Sequence, residues 1–236
     1  MHGLSFAYGV YHPEEFNKIV DDLKFEWDTS SEQMTAHFQG MVTRTANQIN
    51  EENRQKFLRY FESFDPDQYM GLYKWSRRPV LGHGDYRANN LMHKIREDGT
   101  VEIKIVDLQT LQGATPILDL SYLIYTGTDE KFRSEYYEKL MDHYYTELEA
   151  TMKRLHVDPE EVYSRTDFYN ELKQKQTFGL TLAVFVLPII TVDAEDAPKV
   201  DKELDITDFF VEKTSDLYVE RLNGVINDFV KFGVLK

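Results

Sequence analysis

Apolar residues follow two different periods along this chain. Before Arg78 they recur at helical spacing. Phe16, Ile19, Val20 and Leu23 line one face of a segment opened by Pro13-Glu14-Glu15, and Phe57, Leu58, Phe61 and Phe64 form a stripe ended by Asp65-Pro66-Asp67. Thr29-Ser30-Ser31-Glu32 has capping-box spacing and predicts a further helix start. The period then shortens. Residues 79–81 read as a short apolar strand, and residues 91–95 and 101–106 read as two more, joined by Arg96-Glu97-Asp98-Gly99, whose Asp-Gly pair is a strong hairpin signal. Val101, Ile103 and Ile105 alternate with Glu102 and Lys104, which predicts a half-buried strand. Beyond Pro116 the pattern is helical again, over residues 118–125, 130–155, a segment opened by Asp158-Pro159, 167–187 and 207–232. Residues 193–199 are polar and acidic and read as a surface connection. Their carboxylates lack the regular ligand spacing of a calcium loop.

These elements predict an α+β, predominantly helical fold with one small hairpin. One unit spans 1–236, divided into a helical lead-in (1–78), a loop and hairpin (79–109) and a helical subdomain (110–236). At 236 residues, 42% hydrophobic and 29% charged, the chain has enough apolar material for a sizeable core. A formal charge of -14 and the lack of a basic run argue against nucleic acid, whose phosphates call for clustered Lys and Arg. Acidity would concentrate a cationic substrate, although solubility explains it equally well. Most of the 15 Tyr and 15 Phe are expected in the core, with some available to line an apolar pocket. With no Cys there is neither a disulfide framework nor thiolate chemistry. The N-terminus lacks a basic region followed by a long apolar run. The most apolar stretch, 178–190, contains Gly179 and Pro188 and falls short of the roughly 20 residues that span a bilayer. It predicts a buried helix ending near Pro188, no membrane partner and a cytoplasmic location.

Chemistry concentrates in Val80-Leu81-Gly82-His83-Gly84-Asp85-Tyr86-Arg87-Ala88-Asn89-Asn90 and in Ile105-Val106-Asp107-Leu108-Gln109. Phosphoryl transfer asks a protein to position an acceptor and to neutralise phosphate oxygens, usually through magnesium. Magnesium takes hard oxygen ligands, and Asn90 and Asp107 supply an amide and a carboxylate. A further carboxylate must orient the acceptor hydroxyl and receive its proton, and Asp85 is the candidate. Gly82 and Gly84 allow a tight loop behind the first strand, and antiparallel pairing of the hairpin folds Asn90 at its entrance toward Asp107 at its exit. Each element alone is weak. A His-Gly-Asp tripeptide marks many turns, an isolated Asn is a turn residue, and an isolated Asp at a strand end bonds to backbone. The combination and its order are far more specific.

The segment 79–125 resembles the catalytic core of the aminoglycoside phosphotransferase and choline kinase superfamily, which shares the protein kinase fold. Its His-Gly-Asp-Tyr-Arg-Ala-Asn-Asn and Ile-Val-Asp-Leu-Gln are most similar to the ecdysteroid kinase-like branch, also called CHK kinase-like, with Leu108 where that branch tends to carry Phe. The resemblance implies that Asp85 is catalytic, that Asn90 and Asp107 are magnesium ligands beside ATP, and that the acceptor is a small-molecule hydroxyl of the steroid or amino alcohol class. It also implies that Asp119, in Pro116-Ile117-Leu118-Asp119-Leu120, braces the loop, where an ordinary reading is a helix start with an apolar face. His83 reads as a packed, loop-bracing residue.

Kinases of this architecture clamp ATP with an N-terminal lobe carrying a glycine-rich loop and a strand lysine. No Gly-x-Gly precedes Pro79, and Lys18 and Lys24 fall in a helical pattern as solvated residues. The expectation is a C-terminal lobe alone, with the former lobe interface exposed as an apolar patch. Two other functions compete with an ATP- and Mg2+-dependent kinase. One is a non-catalytic fragment or pseudokinase lobe acting as a binding protein. The other, ranked last, is a metal-dependent phosphoesterase using His83, Asp85 and Asp107, for which His93 is the nearest additional ligand.

Overall fold

The computed structural model describes residues 1–23, 32–196, 211 and 213–236. The capping-box signal at Thr29-Ser30-Ser31, Lys24, the end of the acidic connection and the start of the last expected helix lie outside them. Five helices come first: α1 (His2–Tyr11), α2 (Pro13–Asp22), α3 (Glu32–Gln48), α4 (Glu51–Glu62) and α5 (Pro66–Leu72). Four short strands follow, β1 (Val80–Gly82), β2 (Leu91–Ile95), β3 (Val101–Ile105) and β4 (Gln112–Ala114). Then come α6 (Pro116–Gly127), α7 (Glu130–Arg154), α8 (Pro159–Val162), α9 (Arg165–Gln174), α10 (Phe178–Phe185), α11 (Leu187–Ile190) and α12 (Asp216–Lys231). Among the described residues the architecture is mainly helical with a small β component, as the sequence pattern predicts. No described helix is long and apolar enough to cross a membrane.

The helix starts have local causes. Thr115 accepts the Ile117 amide at 3.0 Å with Pro116 in the first turn, Asp129 accepts the Phe132 amide at 2.7 Å, and Ser164 and Asp167 form a reciprocal capping box. Ser215 accepts the Tyr218 amide and sets the start of α12, nine residues later than the expected helix. The expected helix over 167–187 is interrupted between α9 and α10. Its last turn before the break is captured by tertiary partners: Lys175 donates to the Lys74 carbonyl, and Glu171 accepts both the Ser76 amide and the Tyr163 hydroxyl. Pro188 sits in the first turn of α11, where a missing N–H does no harm, and α10 ends at Phe185.

Helix α6 is a wedge between two cores. Ile117 and Ile124 face a cluster with Phe6, Val80, Met141, Tyr145, Met152 and Phe168. Leu118 and Tyr125 face a second with Phe57, Phe61, Leu180, Leu222 and Phe229. Close approach of α10 to α6 depends on Gly179, where a Cβ would lie 2.3 Å from the Tyr125 ring. Burial on both sides fixes α6 more firmly than one amphipathic stripe would.

The strands form two antiparallel pairs. In the first, Val80 pairs with Ala114, Leu81 with Gly113 and Gly82 with Gln112. In the second, Leu91 pairs with Ile105 and Ile95 with Val101, an antiparallel hairpin as expected. The first pair encloses the second in sequence, so the connections 83–90 and 106–111 run side by side between two ladders. Strand β4 escapes sequence analysis because it is three residues long and contains Gly113. The hairpin departs from expectation in burial. Its register places Val101, Ile103 and Ile105 on one face with Leu91, His93 and Ile95, yet Ile103 is 59% and Ile95 68% exposed. The alternation is present, but no described core element packs on that face.

Helices α7 and α12 are joined by a buried ion pair, Arg133 Nε to Asp228 Oδ2 at 2.6 Å. Arg133 also donates through Nη1 to the Thr128 carbonyl, while its Nη2 is buried without a partner among the described residues. Burial raises the Asp228 pKa, with the Arg133 charge opposing. Removing one partner of a buried pair leaves the other charge uncompensated. Asp228→Ala is therefore expected to lower unfolding free energy by about 3–5 kcal/mol in urea denaturation.

Candidate active site

The connection 83–90 is anchored by one buried carboxylate. Asp119, in the first turn of α6 and 3% exposed, accepts the His83 amide at Oδ2 (2.8 Å) and the Gly84 amide at Oδ1 (3.1 Å). Oδ2 also accepts Nε2–H of His2, 3.0 Å away, whose Nδ1 lies 2.6 Å from the Tyr144 hydroxyl. With Tyr144 donating, every polar atom in the relay Tyr144–His2–Asp119 has a complementary partner. Burial, with the Asp119 charge added, pushes the Tyr144 hydroxyl well above the usual phenol range and keeps it a donor. Gly84 adopts φ +82°, and a Cβ there would approach the Thr110 carbonyl oxygen to 2.3 Å. Only glycine fits this turn.

His83 is fully buried and joins the two connections. Its Nε2 lies 2.9 Å from the Val106 carbonyl and its Nδ1 accepts the Asp85 amide at 3.3 Å, which is consistent with the Nε2–H tautomer. Thr110 closes the same junction by donating its hydroxyl to the His83 carbonyl at 2.8 Å. Both ring nitrogens are engaged, so His83 is built into the scaffold, as the sequence analysis anticipates.

Asp85 and Asn90 meet directly. Asn90 Nδ2 donates to the Asp85 backbone carbonyl (2.9 Å) and to its carboxylate Oδ2 (3.0 Å), and Asn90 is 5% exposed. Arg87 Nε donates to the same Oδ2 at 3.0 Å. Burial of Tyr122 on α6, together with the nearby Asp85 carboxylate, drives its hydroxyl far above the usual phenol range. Asp107 joins through the backbone: the Val106 amide donates to the Asn90 carbonyl at 3.0 Å, so Asp107 follows directly on the residue paired with Asn90. Asp107 adopts the left-handed conformation, φ 65° and ψ 60°, which Asp tolerates better than most residues. Its side chain is exposed, and no hydrogen bond or ion pair reaches its carboxylate among the described residues. His93 is exposed on the hairpin, opposite Ile103.

Among the described residues no group of three or more His, Cys, Asp or Glu could hold a metal. One carboxylate and one amide oxygen form a sparser set, the kind a cation takes when water and phosphate oxygens complete its shell. Sequence analysis did not nominate His2, Arg87, Tyr122 or Thr110. His2 lies 117 residues from Asp119, so no local pattern relates them. Arg87 lies inside the motif, where its residue type was the available signal.

Asp119→Ala would leave two loop amides and the His2 ring without their acceptor, and hydrogen bonds to a charged group are worth about 1.5–3 kcal/mol each. The variant is expected to lose about 3 kcal/mol or more in urea denaturation, whereas Ile103→Thr on the exposed hairpin face should stay within about 0.5 kcal/mol of the parent.

No curated protein and no solved structure matches the chain. A family model does, over residues 1–157, well beyond the segment 79–125 that carries the motif resemblance and including helices α1–α5. By a match covering more than half its length, the chain belongs to the ecdysteroid kinase-like family.

Proposed function

We propose that this chain carries the acceptor-activating and metal-binding lobe of an ATP- and Mg2+-dependent phosphotransferase whose acceptor is a hydroxyl of a small molecule. Family membership supports the kinase-like class. The observation that supports the residue roles is the direct bonding of Asn90 to Asp85, with Asp107 following the residue whose amide bonds to the Asn90 carbonyl and with the Asp107 carboxylate making no hydrogen bond or ion pair among the described residues.

Asp85 orients the acceptor hydroxyl and receives its proton at a carboxylate oxygen as the new O–P bond develops. Arg87 and Asn90 hold that carboxylate in place, so little reorganisation is needed when acceptor arrives. Asn90 has its amide nitrogen committed to Asp85, which leaves its amide oxygen, with the Asp107 carboxylate, as the donors for magnesium. These hard oxygens fit that ion, and magnesium bound there would neutralise charge on the nucleotide phosphates. The exposed apolar face of the β2–β3 hairpin adjoins both residues and suits the base of the nucleotide. A steroid or amino alcohol acceptor is consistent with the family.

Transfer from radiolabelled ATP to a panel of hydroxylated steroids and amino alcohols tests the assignment. Asp85→Asn is expected to lower kcat by about 100-fold or more while ATP affinity stays near that of the parent. Undiminished transfer by Asp85→Asn would remove Asp85 from the chemistry.

A further inference from the structure

Among the described residues Arg87 is the cation paired with the Asp85–Asn90 cluster, and most of its hydrogen-bonding capacity is unspent. A guanidinium has five N–H donors, of which Nε–H is bonded to Asp85 Oδ2 at 3.0 Å. The terminal nitrogens make no hydrogen bond among the described residues, and the side chain retains 31% exposure beside an Asp85 that retains 22%. The other cations of this segment are placed differently. Arg96 is paired with Glu102 at 2.8 Å, and Lys94 and Lys104 stand exposed along the hairpin.

The charge balance needs such a group. Asp85 and Asp107 bring two negative charges to the site, on a chain whose formal charge is -14, and a nucleotide triphosphate adds several more. A divalent ion held by Asn90 and Asp107 would offset part of that charge. A planar guanidinium is matched to phosphate oxygens and binds them through parallel N–H groups. Anchoring by Nε fixes the guanidinium plane, so its open edge is presented without the rotamer entropy a free arginine would lose.

We infer that Arg87 is a catalytic residue of the proposed reaction: its Nη groups bind the equatorial oxygens of the phosphoryl group in flight while Nε holds the receiving carboxylate. The inference rests on the phosphotransferase reading and adds a second cation to it. As the bond from the γ-phosphorus to the ADP oxygen breaks and the bond to the acceptor oxygen forms, the acceptor proton passes to Asp85. The contribution of Arg87 is largest when charge is spread over the equatorial oxygens, so it should be felt in the transition state more than in the ground state.

A planar phosphoryl mimic separates these states. Calorimetric titration of the chain with MgADP, alone and with aluminium fluoride, is compared among the parent, Arg87→Met, Arg87→Lys and Asp107→Ala, with circular dichroism confirming the fold. Arg87→Met is expected to weaken binding of the aluminium fluoride complex by about tenfold or more while changing MgADP affinity by less than about threefold. Arg87→Lys should recover part of the loss, and Asp107→Ala should weaken both ligands. Equal affinity of parent and Arg87→Met for the aluminium fluoride complex would overturn the inference and reduce Arg87 to a prop for Asp85. A folded parent that binds neither ligand would instead overturn the phosphotransferase reading, and the inference with it.

Discussion

The site depends on one buried carboxylate. Asp119 reaches from the first turn of α6 to the His83 and Gly84 amides, and through them it sets the direction in which the chain leaves β1. A carboxylate can do this because α6 is immobilised between two cores and because His2 supplies a third donor to the same group. Charge-assisted bonds to backbone are short and directional, so they transmit the position of α6 to the loop. Asp85, one residue beyond Gly84, inherits that position.

The second constraint is the nesting of the two strand pairs. The β1–β4 ladder closes around the segment that contains the β2–β3 hairpin, and the two connections between the ladders are forced alongside each other. His83 and Thr110 fasten them together. Loop Asp, loop Asn and strand-end Asp thus come from two backbone segments that share one frame. The exposed apolar face of the hairpin is the complement of this arrangement: an isolated two-stranded hairpin is marginal in water, and among the described residues β2 and β3 pair only with each other, so their stability derives from the anchored ends.

Much of this was legible in sequence wherever a short-range rule governs. The Asp-Gly turn and apolar alternation located the hairpin to within a residue, and α7 matches the expected 130–155 to within a residue. The Asp85–Asn90 spacing gave a direct hydrogen bond, and Asp119 holds the loop that the resemblance assigned to it. Long-range pairings were hidden. Strand β4 exists because β1 lies opposite it, the break between α9 and α10 follows from Lys175 and Glu171 being drawn toward 74–76, and His2 becomes part of the site through an α1 that folds back against β1 and α7. Hairpin burial was misjudged for a related reason: alternation says which residues share a face, and the surrounding elements decide whether that face is covered.

We propose that Asn90 and Asp107 supply one cation site next to Asp85 on the Asp119-anchored loop. The most direct measurement is paramagnetic broadening of assigned amide and side-chain nuclear magnetic resonance signals on titration with Mn2+ and ATP. Broadening centred on the Asn90 side chain and the Asp107 amide, and reversed by excess Mg2+, is the predicted result. Broadening centred on the acidic connection around Asp193 to Asp196, with the 83–90 and 106–109 signals unchanged, would contradict it.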